Sequence, residues 1–148
     1  VFSVYWRMPE KTAEDFTLDG FFNTGDKACI DGDGYVSIVG RSKDLIICGG
    51  LNVYPKEVEF VVADIPGIKE SAIIGVAHAD FGEVVIAILV IESDINHDKS
   101  SIEKDVIAHC KTRLANFKIP KKVEIVDALP RNAMGKVQKN LLRDRFGK

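Results

Sequence analysis

The chain has 148 residues, of which 46% are hydrophobic and 28% are charged, a balance typical of a globular protein with a buried core rather than of a disordered segment. Its length suits one ordinary domain, or a compact domain of about 100 residues with part of a neighbour. Lysine and arginine number 20 against 22 acidic residues, and the net charge of -2 excludes the broad positive field that attracts nucleic acid or anionic membranes. We therefore expect neither nucleic-acid binding nor membrane insertion.

The first part of the chain, residues 1–40, predicts a short charged helix followed by a β-hairpin. The helix is predicted over 9–16 and the two strands over 21–30 and 35–39, on either side of an Asp-Gly-Asp-Gly turn. Asp-Gly pairs tolerate the positive backbone angles of tight turns, which is why they mark hairpins. A hairpin this short is not stable alone, so we expect it to complete a sheet that belongs to a preceding domain.

The pattern of predicted elements changes at the segment Gly40-Arg41-Ser42-Lys43-Asp44, from a helix and hairpin before it to alternating strands and helices after it. A few residues between two domains can absorb a rotation of one against the other. The segment is therefore either a hinge or an ordinary surface turn.

The remainder of the chain alternates strand and helix patterns. The continuous apolar run over 84–91 predicts a central, buried strand, and it is far shorter than the ~20 residues that a membrane-spanning helix needs. Together the patterns predict an α+β fold, a three-stranded sheet packed with helices. The other predicted elements are an apolar run over 45–48, a helix opened by Pro55, a strand over 71–77, a helix from 100 to about 116, a strand over 123–127, and a last helix after the loop 129–136.

The cysteines Cys29, Cys48 and Cys110 are odd in number and lie at unrelated spacings, which suits neither a disulfide framework nor a zinc site. We expect reduced thiols in a cytoplasmic protein, and no metal site. Cys110 shares a helical stripe with Val106 and Leu114, so it is predicted to be a core residue.

Residues 130–136, with the sequence Pro-Arg-Asn-Ala-Met-Gly-Lys, place cations in a loop that we expect to be flexible. The Lys136 ammonium, on its long stem, could neutralise the oxygens of a carboxylate and a phosphate that must approach each other. A solvated basic loop without a chemical role is the alternative.

Two further motifs have both a functional and a plain interpretation. Asp26, in Asn23-Thr24-Gly25-Asp26, could accept hydrogen bonds from a ribose diol, or it could be an ordinary turn aspartate. The pair Gly49-Gly50 could let a slender ligand pass close to the backbone, or it could form a tight turn only.

Taken in order, these motifs resemble the adenylate-forming acyl-CoA synthetase family, and the resemblance covers nearly the whole chain. Three stretches, residues 5–12, 78–83 and 117–140, are most similar to its malonyl-CoA synthetase subfamily. The motifs that carry the family resemblance are Thr24-Gly25-Asp26, Gly40-Arg41-x-Lys43-Asp44, Gly49-Gly50-x-Asn52-Val53-Tyr54-Pro55 and Pro130-Arg131-Asn132-x-x-Gly135-Lys136.

This resemblance implies a two-step reaction in which a carboxylate reacts with ATP to give an acyl-adenylate and pyrophosphate, and coenzyme A then displaces AMP. By matched position, Asp26 is expected to hold the ribose hydroxyls and Arg41 to contact the nucleotide. Lys136 is expected to bridge the carboxylate and phosphate oxygens during adenylation. Lys43 matches the hinge, and Gly49-Gly50 is expected to line the pantetheine tunnel.

The resemblance also implies a domain organisation. Residues 1–40 would be the tail of a large N-terminal adenylation domain, 41–44 the hinge, and 45–148 a C-terminal lid domain. The expected cofactors are ATP, Mg²⁺ and coenzyme A, with Mg²⁺ bound mainly by the large domain, so the chain alone is expected to be inactive. The expected partners are that upstream domain and a small carboxylic acid, malonate or a related one.

Three alternatives remain open. The chain could belong to an acyl-CoA synthetase for a short-chain, fatty or aryl acid, or to another adenylating protein, such as a peptide-synthetase module or a luciferase-like enzyme. It could also be a non-catalytic domain that binds coenzyme A or AMP.

Overall fold

The computed structural model describes residues 2–92 and 99–147. They divide into two compact units, Val1–Lys43 and Asp44–Lys148, and each is described by itself. The boundary falls within the segment 41–44, where the sequence places a hinge. Motion about that segment stays a prediction.

The first unit contains helix α1 (Pro9–Asp15) and an antiparallel hairpin of β1 (Asp26–Ile30) and β2 (Val36–Arg41). Proline opens α1 because its missing N–H lies in the first turn, where no helical partner exists. In the hairpin turn, Asp31 Oδ1 accepts hydrogen bonds from the N–H groups of Asp33 at 3.0 Å and Tyr35 at 2.9 Å. The predicted helix and hairpin are confirmed; β1 is shorter than the strand predicted over 21–30, and β2 extends two residues beyond the end predicted at 39.

One face of this hairpin is apolar and uncovered within the unit. Cross-strand register pairs Ala28 with Ile38 and Ile30 with Val36. The exposed fractions of Ile30, Val36 and Ile38 are 71%, 64% and 68%. Exposed apolar patches of this kind are typical of surfaces that contact another protein, a membrane or a ligand.

The second unit is built on one five-stranded sheet in which β6 is central. The strands follow the order β4-β3-β6-β5 with antiparallel pairs, and β7 adds to β6 in parallel. The strands are β3 (Ile46–Cys48), β4 (Leu51–Val53), β5 (Ile68–His78), β6 (Gly82–Ile91) and β7 (Lys122–Ile125). The predicted α+β class and the central position of β6 are confirmed.

The predicted number of three strands was too low. The two missed strands, β3 and β4, have three residues each and form a hairpin around Gly49-Gly50. Three residues are too few to show the alternation that identifies a strand in a sequence. The apolar run before the glycines was therefore not predicted to be a strand, although a tight turn at Gly49-Gly50 was one of the two interpretations of that pair.

Helices cover both faces of the sheet. Along β6, Val85, Ala87 and Leu89 face a core shared with α2 (Pro55–Ala63) and α3 (Lys99–Lys111). The alternate residues of β6 face a second core with α4 (Lys139–Phe146). Two buried faces explain why β6 is apolar without interruption.

Helix α3 ends earlier than predicted. Its hydrogen bonds tighten after Lys111, where the N–H groups of Thr112 and Arg113 donate to carbonyls three residues back. A separate 3₁₀ turn then forms at Asn116–Lys118. The side chain of Ser100, at the predicted start of this helix, lies outside the described residues.

The three cysteines are free thiols, as expected, with Cys29 exposed and Cys48 and Cys110 buried. Burial raises the pKa of the Cys110 thiol above its ordinary value, which fits the core role predicted for it. None of the helices within 2–92 and 99–147 is long and apolar enough to cross a bilayer.

Candidate functional site

The basic loop at 130–136 is a tight turn closed by its own hydrogen bonds. The N–H of Asn132 donates to the Lys136 carbonyl, and the N–H of Gly135 donates to the Asn132 carbonyl, both at 2.9 Å. The Asn132 side chain completes the turn, since its Oδ1 accepts the N–H groups of Met134 at 3.0 Å and Lys136 at 2.9 Å. These bonds close the backbone of the loop, and the flexibility expected of it stays a prediction.

The two cations of this loop are in different states. The Arg131 guanidinium is engaged, because Nη1 donates to the Gly135 carbonyl and Nη2 to Glu70 Oε2, both at 2.6 Å. Lys136 is exposed, and no carboxylate of the described ranges forms an ion pair with it. Lys136 is therefore the cation of this loop that remains available to an anionic ligand.

In the first unit, the hairpin brings together Asp26 and Arg41, which the sequence singled out separately. They are register partners at the open end of the hairpin, and Arg41 Nε lies 3.0 Å from Asp26 Oδ1. The Asp26 side chain is 25% exposed and that of Arg41 51%. One carboxylate oxygen is thus oriented by the guanidinium, while the group as a whole stays accessible to a ligand.

The pair Gly49-Gly50 forms the two-residue turn between β3 and β4. Its φ angles are +58° and +79°, and two successive positive φ angles are what a type I′ hairpin turn requires. A Cβ at Gly50 would meet no atom within 4 Å, so backbone conformation rather than lack of space selects glycine there. The tight-turn interpretation explains both residues, and a contact with ligand stays a prediction.

This glycine turn is joined to the loop between β5 and β6. The Gly49 N–H donates to the Phe81 carbonyl at 2.8 Å. Two residues earlier, the Ile47 N–H donates to Glu83 Oε2, also at 2.8 Å. The sequence marked residues 78–83 only as a point of family resemblance, and nothing in their pattern indicated that Glu83 reaches a strand 36 residues away.

Lys43 lies between two residues that are each held within their own unit. The Ser42 N–H donates to the Gly25 carbonyl at 2.9 Å. The Arg143 Nη2 donates to Asp44 Oδ1 at 2.8 Å, and these side chains are 30% and 20% exposed. Lys43 itself is exposed and is the middle residue of a 3₁₀ turn, Ser42–Asp44.

The predicted site residues thus fall into two groups. Asp26, Arg41 and Lys43 belong to the first unit, and the Gly49-Gly50 turn and Lys136 to the second. No group of three or more His, Cys, Asp or Glu side chains among the described residues could hold a metal ion. The first unit offers an oriented carboxylate, and the second offers an exposed ammonium and an exposed backbone turn. Each of these groups can bind or neutralise a ligand.

Comparison with known proteins gives a family and several relatives. A family model described as "AMP-binding enzyme C-terminal domain" matches residues 57–136. A Rhodococcus jostii protein, 3-[(3aS,4S,7aS)-7a-methyl-1,5-dioxo-octahydro-1H-inden-4-yl]propanoyl:CoA ligase, is 49% identical over 140 residues, 95% of this chain and 26% of that protein. Feruloyl-CoA synthase of Amycolatopsis sp is 46% identical over 144 residues, 97% of this chain and 28% of that protein.

Among solved structures, MatB from Rhodopseudomonas palustris is 55% identical to this chain. The match covers 100% of this chain and 29% of the MatB chain. Its ATP-bound crystal structure matches with a TM-score of 0.89 and its apo crystal structure with 0.72. The chain thus spans under a third of the length of the relatives that it matches.

Proposed function

Because the chain belongs to the family of AMP-binding enzyme C-terminal domains, we propose that it is the C-terminal part of an AMP-forming acid–CoA ligase. The reaction joins a carboxylate to the α-phosphate of ATP, releasing pyrophosphate, and the thiol of coenzyme A then attacks the acyl carbon and releases AMP. The observation that carries this proposal is the exposed Lys136 ammonium, which a hydrogen-bonded turn presents and which forms no ion pair within residues 2–92 and 99–147.

In the first step, Lys136 is the group that lowers the barrier. A carboxylate and a phosphate repel each other as they approach, and an ammonium between their oxygens offsets this repulsion and the charge that develops in the transition state. The closed turn supports this role because it holds the backbone from which the Lys136 side chain extends. Asp26, oriented by Arg41, holds the ribose hydroxyls of the nucleotide.

The second step needs a different surface, because a lysine held at the reacting phosphate obstructs the path of a thiol. We assign this surface to the Gly49-Gly50 turn, and the exchange of surfaces to rotation about Lys43. Two observations support the rotation. Ser42 and Asp44 are anchored on either side of Lys43, and the ATP-bound and apo structures of MatB match this chain unequally, with TM-scores of 0.89 and 0.72.

The remainder of the active site belongs to the rest of the protein. The exposed apolar face of the β1–β2 hairpin, with Ile30, Val36 and Ile38, supports docking of residues 1–40 onto a large N-terminal domain. That domain supplies the acid pocket and the ligands of Mg²⁺, which balances the phosphate charge.

For the acid, we propose malonate or a close relative, on the sequence resemblance of residues 5–12, 78–83 and 117–140 to malonyl-CoA synthetases. The relatives carry the names of ligases for chemically different acids. This variety indicates that the acid is selected outside this domain. A short-chain, fatty or aryl acid is the alternative substrate.

The test is pyrophosphate release by the full-length protein with ATP, Mg²⁺ and, in turn, malonate, methylmalonate, acetate and benzoate. We expect malonate or methylmalonate to give the fastest release and Lys136→Ala to lower it by about 100-fold or more. Lys104→Ala, which removes an exposed lysine of α3, is the matched control and should release pyrophosphate normally. Release with a monocarboxylate only contradicts the malonate assignment. Binding of AMP or coenzyme A without any release favours the non-catalytic alternative.

A further inference from the structure

The Glu83 carboxylate holds together two turns that are distant in sequence. Its Oε2 accepts the N–H of Ile47 at 2.8 Å. Close by, the Phe81 carbonyl accepts the N–H groups of Gly49 and of Glu83 itself, both at 2.8 Å. The loop between β5 and β6, through Phe81, and the start of β6, through Glu83, are thus bonded to the β3–β4 hairpin on both sides of Cys48.

These bonds take the place of backbone pairing between β3 and β6, which is almost absent from the described residues. Between β3 and β6 the backbone pairing is limited to Cys48 with Gly82. In a two-residue hairpin the second residue before the turn directs its N–H away from the partner strand, which leaves the amide of Ile47 facing β6. Glu83 satisfies this amide with a charge-assisted bond, which is stronger than a bond between neutral groups.

The sheet has room for this carboxylate because residue 75 is glycine. A Cβ at Gly75 would lie 2.8 Å from Glu83 Oε1 and 3.0 Å from two side-chain carbons of Ile46. Any larger residue therefore displaces either the carboxylate or a core side chain. The Glu83 side chain is therefore held in one position, by the Ile47 N–H and by the space that Gly75 leaves.

We propose that Glu83 is a positioning residue for the thioester-forming step, acting through the Gly49-Gly50 turn. The inference rests on the proposed function, in which this turn faces coenzyme A. Two strands of three residues are too short to hold a turn rigidly on their own, so its position depends on the tether to Glu83. Lys136 lies on a separate loop closed by Asn132, and adenylation does not depend on that tether.

The experiment measures the two half-reactions separately in the full-length protein. Single-turnover pyrophosphate release reports adenylation, and single-turnover transfer from preformed malonyl-adenylate to coenzyme A reports thioester formation. We expect Glu83→Ala to slow transfer by about 10-fold or more, since small misplacements at a reacting site are costly, while adenylation stays within about 2-fold of wild type. Glu83→Gln keeps an acceptor oxygen and should restore most of the transfer rate. Glu83→Asp keeps the charge but is too short, and should behave like Glu83→Ala.

The control is Glu59→Ala, which removes a carboxylate–amide bond elsewhere on the sheet together with the 2.6 Å ion pair between Glu59 Oε1 and Lys139 Nζ. Glu59 Oε1 accepts the N–H of Ile73 on the edge strand β5 at 3.1 Å. This variant should lower the melting temperature without altering the ratio of the two half-reaction rates. If the Glu83 variants also leave that ratio unchanged, or slow both steps equally, the positioning role is overturned while the proposed function stands. If wild type performs neither half-reaction with any of the four acids, the proposed function is overturned instead.

Discussion

The ion pair between Arg143 of α4 and Asp44 gives the most direct test of how the start of the second unit is held. Arg143 Nη2 lies 2.8 Å from Asp44 Oδ1, and the two side chains are 30% and 20% exposed. The change to make is Arg143→Ala, which leaves the Asp44 carboxylate half-buried without its partner. We expect this variant to be less stable than wild type.

The size of the loss follows from the burial of the pair. Fully exposed pairs contribute about 0–1 kcal/mol, whereas hydrogen bonds to charged groups contribute about 1.5–3 kcal/mol. The side chains of Arg143 and Asp44 are 30% and 20% exposed, so the free energy contributed by this pair should lie between these two ranges. The expected loss of unfolding free energy is therefore about 1–2 kcal/mol for Arg143→Ala.

The assay is urea unfolding of the 148-residue chain, followed by circular dichroism, for wild type, Arg143→Ala, Asp44→Ala and the double variant. The double-mutant cycle should give a coupling free energy of about 1 kcal/mol, which decreases with added salt because the pair is partly exposed. A coupling that is zero within error at low salt would refute the anchoring of Asp44, and with it the restriction of the pivot to Lys43.

Three further predictions concern other contacts. Gly75→Ala should lower the urea midpoint by an amount equivalent to about 1–3 kcal/mol, because its Cβ would lie 2.8 Å from Glu83 Oε1; an unchanged midpoint contradicts the packing there. Asn132→Ala removes the acceptor of two loop N–H groups and should slow pyrophosphate release by the full-length protein about 10-fold, whereas Asn132→Asp, which keeps Oδ1, should not. Hydrogen bonds from Lys11 and then Tyr5 lower the pKa of Asp15, so the stability it contributes is present above the ordinary aspartate pKa of about 3.9 and is lost as the pH falls through the lower folded-state pKa. An NMR titration showing an ordinary pKa for Asp15 would contradict this.

Much of the fold could be predicted because its longest elements carry strong patterns. The uninterrupted apolar run of β6 indicated a strand buried on both faces, and the structure places helices on each side of it. The Asp-Gly turn indicated the first hairpin. The α+β class could be predicted from long hydrophobic patterns of this kind, because the burial that they indicate agrees with the packing of sheet and helices in the structure.

The parts that could not be predicted depend on contacts between distant residues. The strands β3 and β4 are too short for a pattern, and the tether to β6 comes from the Glu83 side chain. The pairing of Asp26 with Arg41 could have been found by counting register outward from the hairpin turn, although the bulge between Lys27 and Ala28 shifts that count. The ion pair that holds Asp44 spans 99 residues, and charge pattern alone does not select Arg143 from the other cations of α4.

The central claim is that the Lys136 ammonium serves adenylation and leaves thioester formation to another surface. The most direct measurement compares full-length wild type and Lys136→Ala in single-turnover pyrophosphate release and in transfer from preformed malonyl-adenylate to coenzyme A. We predict that pyrophosphate release falls by about 100-fold or more while the transfer rate stays within about 3-fold of wild type, as expected for an interaction made only in the first transition state. Unchanged pyrophosphate release, or a loss confined to the transfer step, would contradict the role given to Lys136.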